Sequence, residues 1–156
     1  HANAGAAKLT TALANPVNFF QMTFNAEAGK PYRLWIRGKA DANNWANDSV
    51  FVQFNQAVDV NGTAIWRIGT TAATEVNVED CSGCGLSNWG WQDNGWGIGM
   101  MGQVVYFEAD GLQTIRIQTV PLCDRASLPR RCSRVRPARS ASFSSASIGH
   151  KNQSPS

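Results

Sequence analysis

The sequence predicts an all-β fold, an antiparallel β-sandwich, on three observations. Short apolar runs alternate with a period of two residues, clusters of Gly, Asn, Asp and Pro bound them, and no long segment sustains a 3.6-residue repeat.

Taken in order, the first run covers residues 19–24 (FFQMTF), after Pro16 and before Asn25. In the second, Tyr32, Leu34 and Ile36 alternate with Arg33, Trp35 and Arg37, which on a strand puts one set on each face. Residues 50–54, 64–68, 75–78, 104–107 and 114–118 complete the expected set of seven strands. Each is short and rich in β-branched or aromatic side chains, which suit a pleated, half-buried surface. A helical turn or more is expected only at residues 8–14.

The chain has 156 residues and a formal net charge of +3. That charge is unevenly spread. Residues 121–156 hold seven basic residues (six Arg and Lys151) against Asp124 alone, a balance of +6, which leaves seven basic against ten acidic, or −3, in residues 1–120. The tail also holds nine serines, four of the six prolines and no tryptophan. The expected organisation is therefore one β-sandwich domain at 1–120, long enough for a single core, and a basic Ser/Arg/Pro-rich tail at 121–156, disordered or a non-native extension. Phosphate contacts by the tail would suit nucleic acid, but it lacks periodicity and aromatic interleaving beyond Phe143. No stretch approaches the roughly 18 apolar residues of a membrane span. Neither nucleic acid nor membrane is an expected partner. Because it begins with His1 and a small-residue lead-in, the chain is expected to be a piece excised from a larger polypeptide.

Two connections are long for such a fold: residues 38–49 (GKADANNWANDS) and 79–102 (EDCSGCGLSNWGWQDNGWGIGMMG). Loops above about 12–15 residues in a compact domain are usually functional or disordered. The second carries Trp89, Trp91 and Trp96, and disordered segments are poor in aromatics, so an ordered functional loop is expected. The three rings are interleaved with Gly90, Gly95 and Gly97, and Gln92, Asp93 and Asn94 lie between them. Glycine leaves neighbouring rings uncovered, while Gln, Asp and Asn supply donors and acceptors beside them. Flat apolar faces next to planar hydrogen-bonding groups suit a pyranose, which has a C–H face and a rim of hydroxyls. The competing reading is that a tryptophan plugs the end of the sandwich, and at least one of the three is expected to be core. Trp45, flanked by Asn43, Asn44, Asn47 and Asp48, repeats the chemistry in the other loop, with Asn47 a further hydroxyl partner. Trp35 and Trp66 lie inside strand runs and are expected to pack, although the parity of Trp35 is outward.

Cys81 and Cys84 form a C-x-x-C in a Gly-rich setting. A structural zinc site would want a second such pair or two histidines, and a thioredoxin-like motif would want a helix start, so a local disulfide in a secreted, extracellular protein is expected. A structural Ca²⁺ is a further expectation, with Asp48, Asp80 and Asp93 as candidate ligands. Catalysis has thin support. Loop carboxylates at glycosidase spacing would make a small hydrolase or lyase, and His1 with His150 would make a copper oxygenase, but the second histidine lies in the tail. Too few histidines remain for a Ser-His-Asp site, and no phosphate loop occurs.

The runs YRLWIRGKADANNWANDSVFVQF and RIGTTAATEVNVEDCSGCGLSNWGWQDNGWG resemble bacterial carbohydrate-binding modules of the galactose-binding-like, jelly-roll β-sandwich type, found attached to secreted glycoside hydrolases. The likeness spans residues 6–119, about three quarters of the chain. It implies binding without catalysis to plant cell-wall polysaccharide, a β-glucan such as cellulose-derived chains or xyloglucan, through Trp45 and the Trp89–Trp96 loop. It also implies a linked catalytic domain as partner and strengthens the expectation of Ca²⁺. One departure stands out: after QTIRIQT such modules continue with a last apolar strand, where this chain has PLCDRASLPRRCSRVRPARS. A shifted reading frame near Val120 would account for the change and would leave an open sheet edge. The alternatives are the small polysaccharide-active enzyme above, or an adhesion β-sandwich that contacts protein.

Overall fold

In the computed structural model the described residues are 9–40, 49–78, 89–96, 99–119 and, by backbone, 145–149. Among them the regular structure is all β. The strands are β1 (Phe19–Ala26), β2 (Arg33–Gly38), β3 (Ser49–Phe54), β4 (Ala57–Val58), β5 (Thr74–Asn77), β6 (Gly90–Gln92), β7 (Tyr106–Phe107), β8 (Gly111–Thr119) and β9 (Ser145–Gly149). They form a four-stranded sheet in the order β1-β8-β3-β5, a three-stranded sheet β6-β2-β9 and a β4-β7 pair, and every ladder between them is antiparallel.

The alternation read from sequence is what builds the core. From β3 come Val50, Val52 and Phe54, from β8 Ile115 and Ile117, from β5 Val76 and from β2 Leu34 and Ile36, all in one buried cluster, with Phe20, Met22 and Phe24 of β1 packed against it. Residues from both larger sheets thus share a single core, an arrangement consistent with a β-sandwich. Phe107 meets Phe24, Tyr32 and Phe54 edge to face at centroid distances of 5.4, 5.6 and 5.7 Å, the geometry that aromatic quadrupoles favour.

The outer face of β3 is buried too, which alternation alone does not lead one to expect. Leu9 and Ala12 pack against Phe51, so residues 9–14 form an irregular strap against the four-stranded sheet, with bends in place of the helical turn expected there. Beside them Gln53 donates through Nε2 to the carbonyls of Arg67, Thr70 and Ala72 at 3.1, 2.8 and 3.0 Å. One amide group thereby ties down a whole loop, and its carbonyl accepts from Gln118 Nε2 at 2.7 Å.

Three local differences from the sequence reading have physical causes. Residues 64–68 are not a strand: Trp66 has φ 48°, a left-handed conformation costly for a bulky residue, and it turns the chain so that only isolated bridges form at Ala64 and Arg67. The turn is held by Phe54 N donating to Trp66 O at 2.7 Å and by Arg67 Nη1 donating to Asn55 O at 2.7 Å, with Arg67 also paired to Glu108. The short strands β4 and β6 carry too few residues to show a period. In the tail, where composition predicts no strand, Ser145–Gly149 pairs with β2 over five residues, from Arg33↔Gly149 to Arg37↔Ser145.

Candidate functional site: an aromatic and basic sheet face

Strand β2 places Leu34 and Ile36 in the core, so Arg33, Trp35 and Arg37 occupy its other face. In the ladder with β6, Arg37 stands opposite Trp91 and Gly38 opposite Gly90. Directly opposed residues share a face, so Trp91 joins Arg33, Trp35 and Arg37 on the outer surface. Trp91 is 45% exposed and Trp35 half-buried. Trp89 precedes β6 and is half-buried, with the Arg37 guanidinium 5.4 Å and the Lys39 ammonium 5.9 Å from its ring centroid. Three of the chain's tryptophans are thereby gathered on one face.

Beyond β6 the chain folds back on itself, and Asp93 is the reason. This carboxylate is only 4% exposed. Its Oδ1 accepts from Gly95 N at 2.8 Å, and its Oδ2 accepts from Gly102 N at 2.8 Å and from Arg33 Nη1 at 3.3 Å. The same guanidinium nitrogen donates to Gly102 O at 2.5 Å. Asn94 anchors the other side, donating through Nδ2 to Thr74 Oγ1 and Gln103 O, each at 3.1 Å. The backbones of residues 95 and 100–102 come so close that a Cβ on Gly95 would lie 2.6 Å from Gly102 N. Glycine is required there for space, since no positive φ is involved. The closed loop presents Trp96 at 52% exposure, with Met100 and Met101 also exposed.

The residues expected to meet a ligand therefore divide. Trp91 and Trp96 are exposed rings, and Trp89 lies under two cations. Asp93 and Asn94 face inward and organise the loop rather than presenting groups to solvent. Gln92 stands opposite Ile36, hence on the side of the sheet that Ile36 turns to the core. Trp45, Asn47 and Asp48, and Asp80, Cys81 and Cys84, lie outside the described residues. Among the candidate Ca²⁺ ligands Asp93 fits poorly, because both its oxygens already accept N–H groups and one faces a guanidinium. Among the described residues no three His, Cys, Asp or Glu side chains group together as a metal would require.

Sequence reading passed over Arg33, Arg37 and Lys39, and assigned Trp35 to packing. The available signal was parity: Arg33, Trp35, Arg37 and Lys39 all fall on the odd positions of one strand run. Comparison of the chain with protein-family models, with curated proteins and with solved structures finds no match.

Proposed function

We propose that the chain is a non-catalytic carbohydrate-binding module of the galactose-binding-like, jelly-roll kind, which holds a linked, secreted glycoside hydrolase on plant cell-wall polysaccharide. Its ligand class is β-glucan, cello-oligosaccharide or xyloglucan. The observation that carries this reading is the pair of exposed rings, Trp91 and Trp96, on a segment pinned from within by Asp93. Soluble proteins seldom spend loop tryptophans on solvent, and rings held by a rigid frame lose little freedom when a sugar stacks on them. Trp35 extends the surface by about 7 Å along the strand from Arg37, the spacing of alternate residues. Trp45 and Asn47 of the 38–49 segment belong to the same reading by sequence, as do a Cys81–Cys84 disulfide and a Ca²⁺ held by Asp48 and Asp80. The module works outside the cell and contacts neither nucleic acid nor membrane.

Affinity electrophoresis and calorimetry against cellohexaose, xyloglucan, xylan and galactan test it. Binding to a β-glucan, weakened about fivefold to tenfold by Trp91→Ala and again by Trp96→Ala, is the expected result. Release of reducing ends from any of these polymers, or no binding to all of them by a folded chain, overturns it.

A further inference from the structure

We propose that the outer edge of β1 pairs antiparallel with β1 of a second copy of this chain, about a two-fold axis through Met22. The inference concerns the four-stranded sheet and is independent of the carbohydrate-binding reading. In the order β1-β8-β3-β5, β1 is an end strand, and among the described residues β8 is its only neighbour. An end strand presents a row of N–H and C=O groups that can template another chain, and natural proteins blunt such a row by short length, charge, proline or a bulge. Strands β5 and β6 are blunted in this way: β5 has four residues and carries Glu75, and β6 has three residues. Strand β1 is not. It runs for eight residues, FFQMTFNA, without a charge or a proline, and meets β8 in an unbroken register with no bulge.

Backbone direction identifies the outward groups. Thr114 N donates to Asn55 Oδ1 at 2.8 Å and Thr114 O accepts from Asn55 N at 3.1 Å, so the backbone of Thr114 is turned toward β3. Thr23, opposite Thr114, therefore forms a non-hydrogen-bonded pair with it, and its own N–H and C=O point away from β8. By alternation the same holds for Phe19, Gln21 and Asn25. A two-fold axis through Met22 sets Phe19 against Asn25 and Gln21 against Thr23 of the second copy, so all four outward residues meet outward partners. Moving the axis by one residue in either direction leaves one of the four outside the ladder. The side chains agree with this register. Met22 and Phe24 pack against the core yet stay half-buried, as does Phe20, and the run Phe-x-Met-x-Phe reads the same in both directions about Met22. The axis puts Met22 beside its own mate and Phe24 beside the second copy's Phe20 on one face, with Gln21 beside Thr23 on the other. A two-fold interface demands such self-complementarity, and this is what favours a second copy over an unrelated strand.

The test is sedimentation equilibrium of the full chain from about 1 to about 200 µM, with amide hydrogen exchange measured at both ends of that range. A dimer that dissociates in the micromolar range is expected, because two paired edge strands make an interface at the small end of the specific class. The amides of Gln21 and Thr23 should exchange at least about tenfold more slowly in the concentrated sample, while that of Met22, which faces β8, keeps its rate. Gln21→Pro removes an outward donor and no bond to β8, at a kind of position where end strands accept proline, and should weaken association about tenfold. Thr23→Lys changes only an exposed side chain and should weaken it similarly, which covers the case in which the proline variant does not fold. Monomer mass throughout the range overturns the proposal, and an edge already filled by another part of the chain would give that result. A dimer whose Gln21 and Thr23 amides keep their dilute exchange rates, or one that Thr23→Lys leaves unchanged, overturns it equally.

Discussion

Gln118 reads the backbone of Leu13 from both ends of its amide: Oε1 accepts from Leu13 N at 2.9 Å and Nε2 donates to Leu13 O at 3.0 Å. The same Nε2 donates to Gln53, so the N-terminal strap, the sheet and the 67–72 loop meet at one fully buried amide pair. Replacing Gln118 by Leu leaves Leu13 N–H, Leu13 C=O and the Gln53 carbonyl without their partner. The expected cost is about 2–4 kcal/mol, read as a lower urea midpoint with an unchanged slope. Gln118→Glu should cost nearly as much, because a carboxylate cannot donate to the two acceptors. A midpoint equal to the native one in both variants would show that water replaces these bonds.

Asp93→Asn leaves a single neutral acceptor: if it stays with Gly95 N, an amide N–H₂ is set against Gly102 N and Arg33, and if it turns to those two, Gly95 N loses its acceptor. Loss of a partly buried ion pair together with a charge-assisted hydrogen bond should destabilise the loop by about 2 kcal/mol. On the proposed carbohydrate-binding function, sugar affinity should fall with it, through the loop that both Asp93 oxygens hold. Amide hydrogen exchange resolves the effect: faster exchange at Gly95 and Gly102, with β8 protected as before, is the expected pattern.

Gly95→Ala tests the close approach inside the same loop. Its Cβ would meet Gly102 N at 2.6 Å and the backbone carbon of Met101 at 2.9 Å, distances only backbone movement relieves. Trp96 should shift in fluorescence and lose its part in binding. Gly62→Ala makes the contrast, since at φ 79° with open space around it the expected penalty is conformational, about 1 kcal/mol, and binding is untouched.

How far the sequence could foretell this molecule depends on what each residue's neighbours were. Period two in Tyr32–Ile36 was readable because Leu34 and Ile36 face a core that extends along the whole strand. Nothing in AIWRI signals a turn, because the left-handed Trp66 is imposed by Phe54 and Arg67 hydrogen bonds made across the fold. SASIG is equally silent, since it is recruited by the free edge of β2 and not by its own pattern. The rings were found by composition, but the fate of Asp93 was hidden: a carboxylate beside exposed tryptophans reads as a ligand group until its oxygens are seen to close on Gly95 and Gly102.

Alkaline titration should register at Lys30. Its ammonium donates to Glu27 at 2.5 Å, and this hydrogen bond, ahead of the charge attraction, raises its pKa above 10.5. A raised folded pKa means a stabilising contribution fully present below 10.5 and lost as pH climbs through the folded value. The stability difference between the native chain and Lys30→Gln is therefore expected to be small, constant from neutral pH to about 10, and to fade as the pH climbs past 10.5 through the folded pKa. A difference that grows at high pH contradicts the assignment.

The ladder between β2 and β9 also sets an order of events in synthesis. Arg33 waits for Gly149, so at ordinary elongation rates the edge of the tryptophan-bearing sheet stays open for on the order of 10 s after β2 leaves the ribosome. During that interval β2 is the strand best placed to pair with a neighbouring nascent chain, and crowding of ribosomes on one message becomes a hazard specific to this topology.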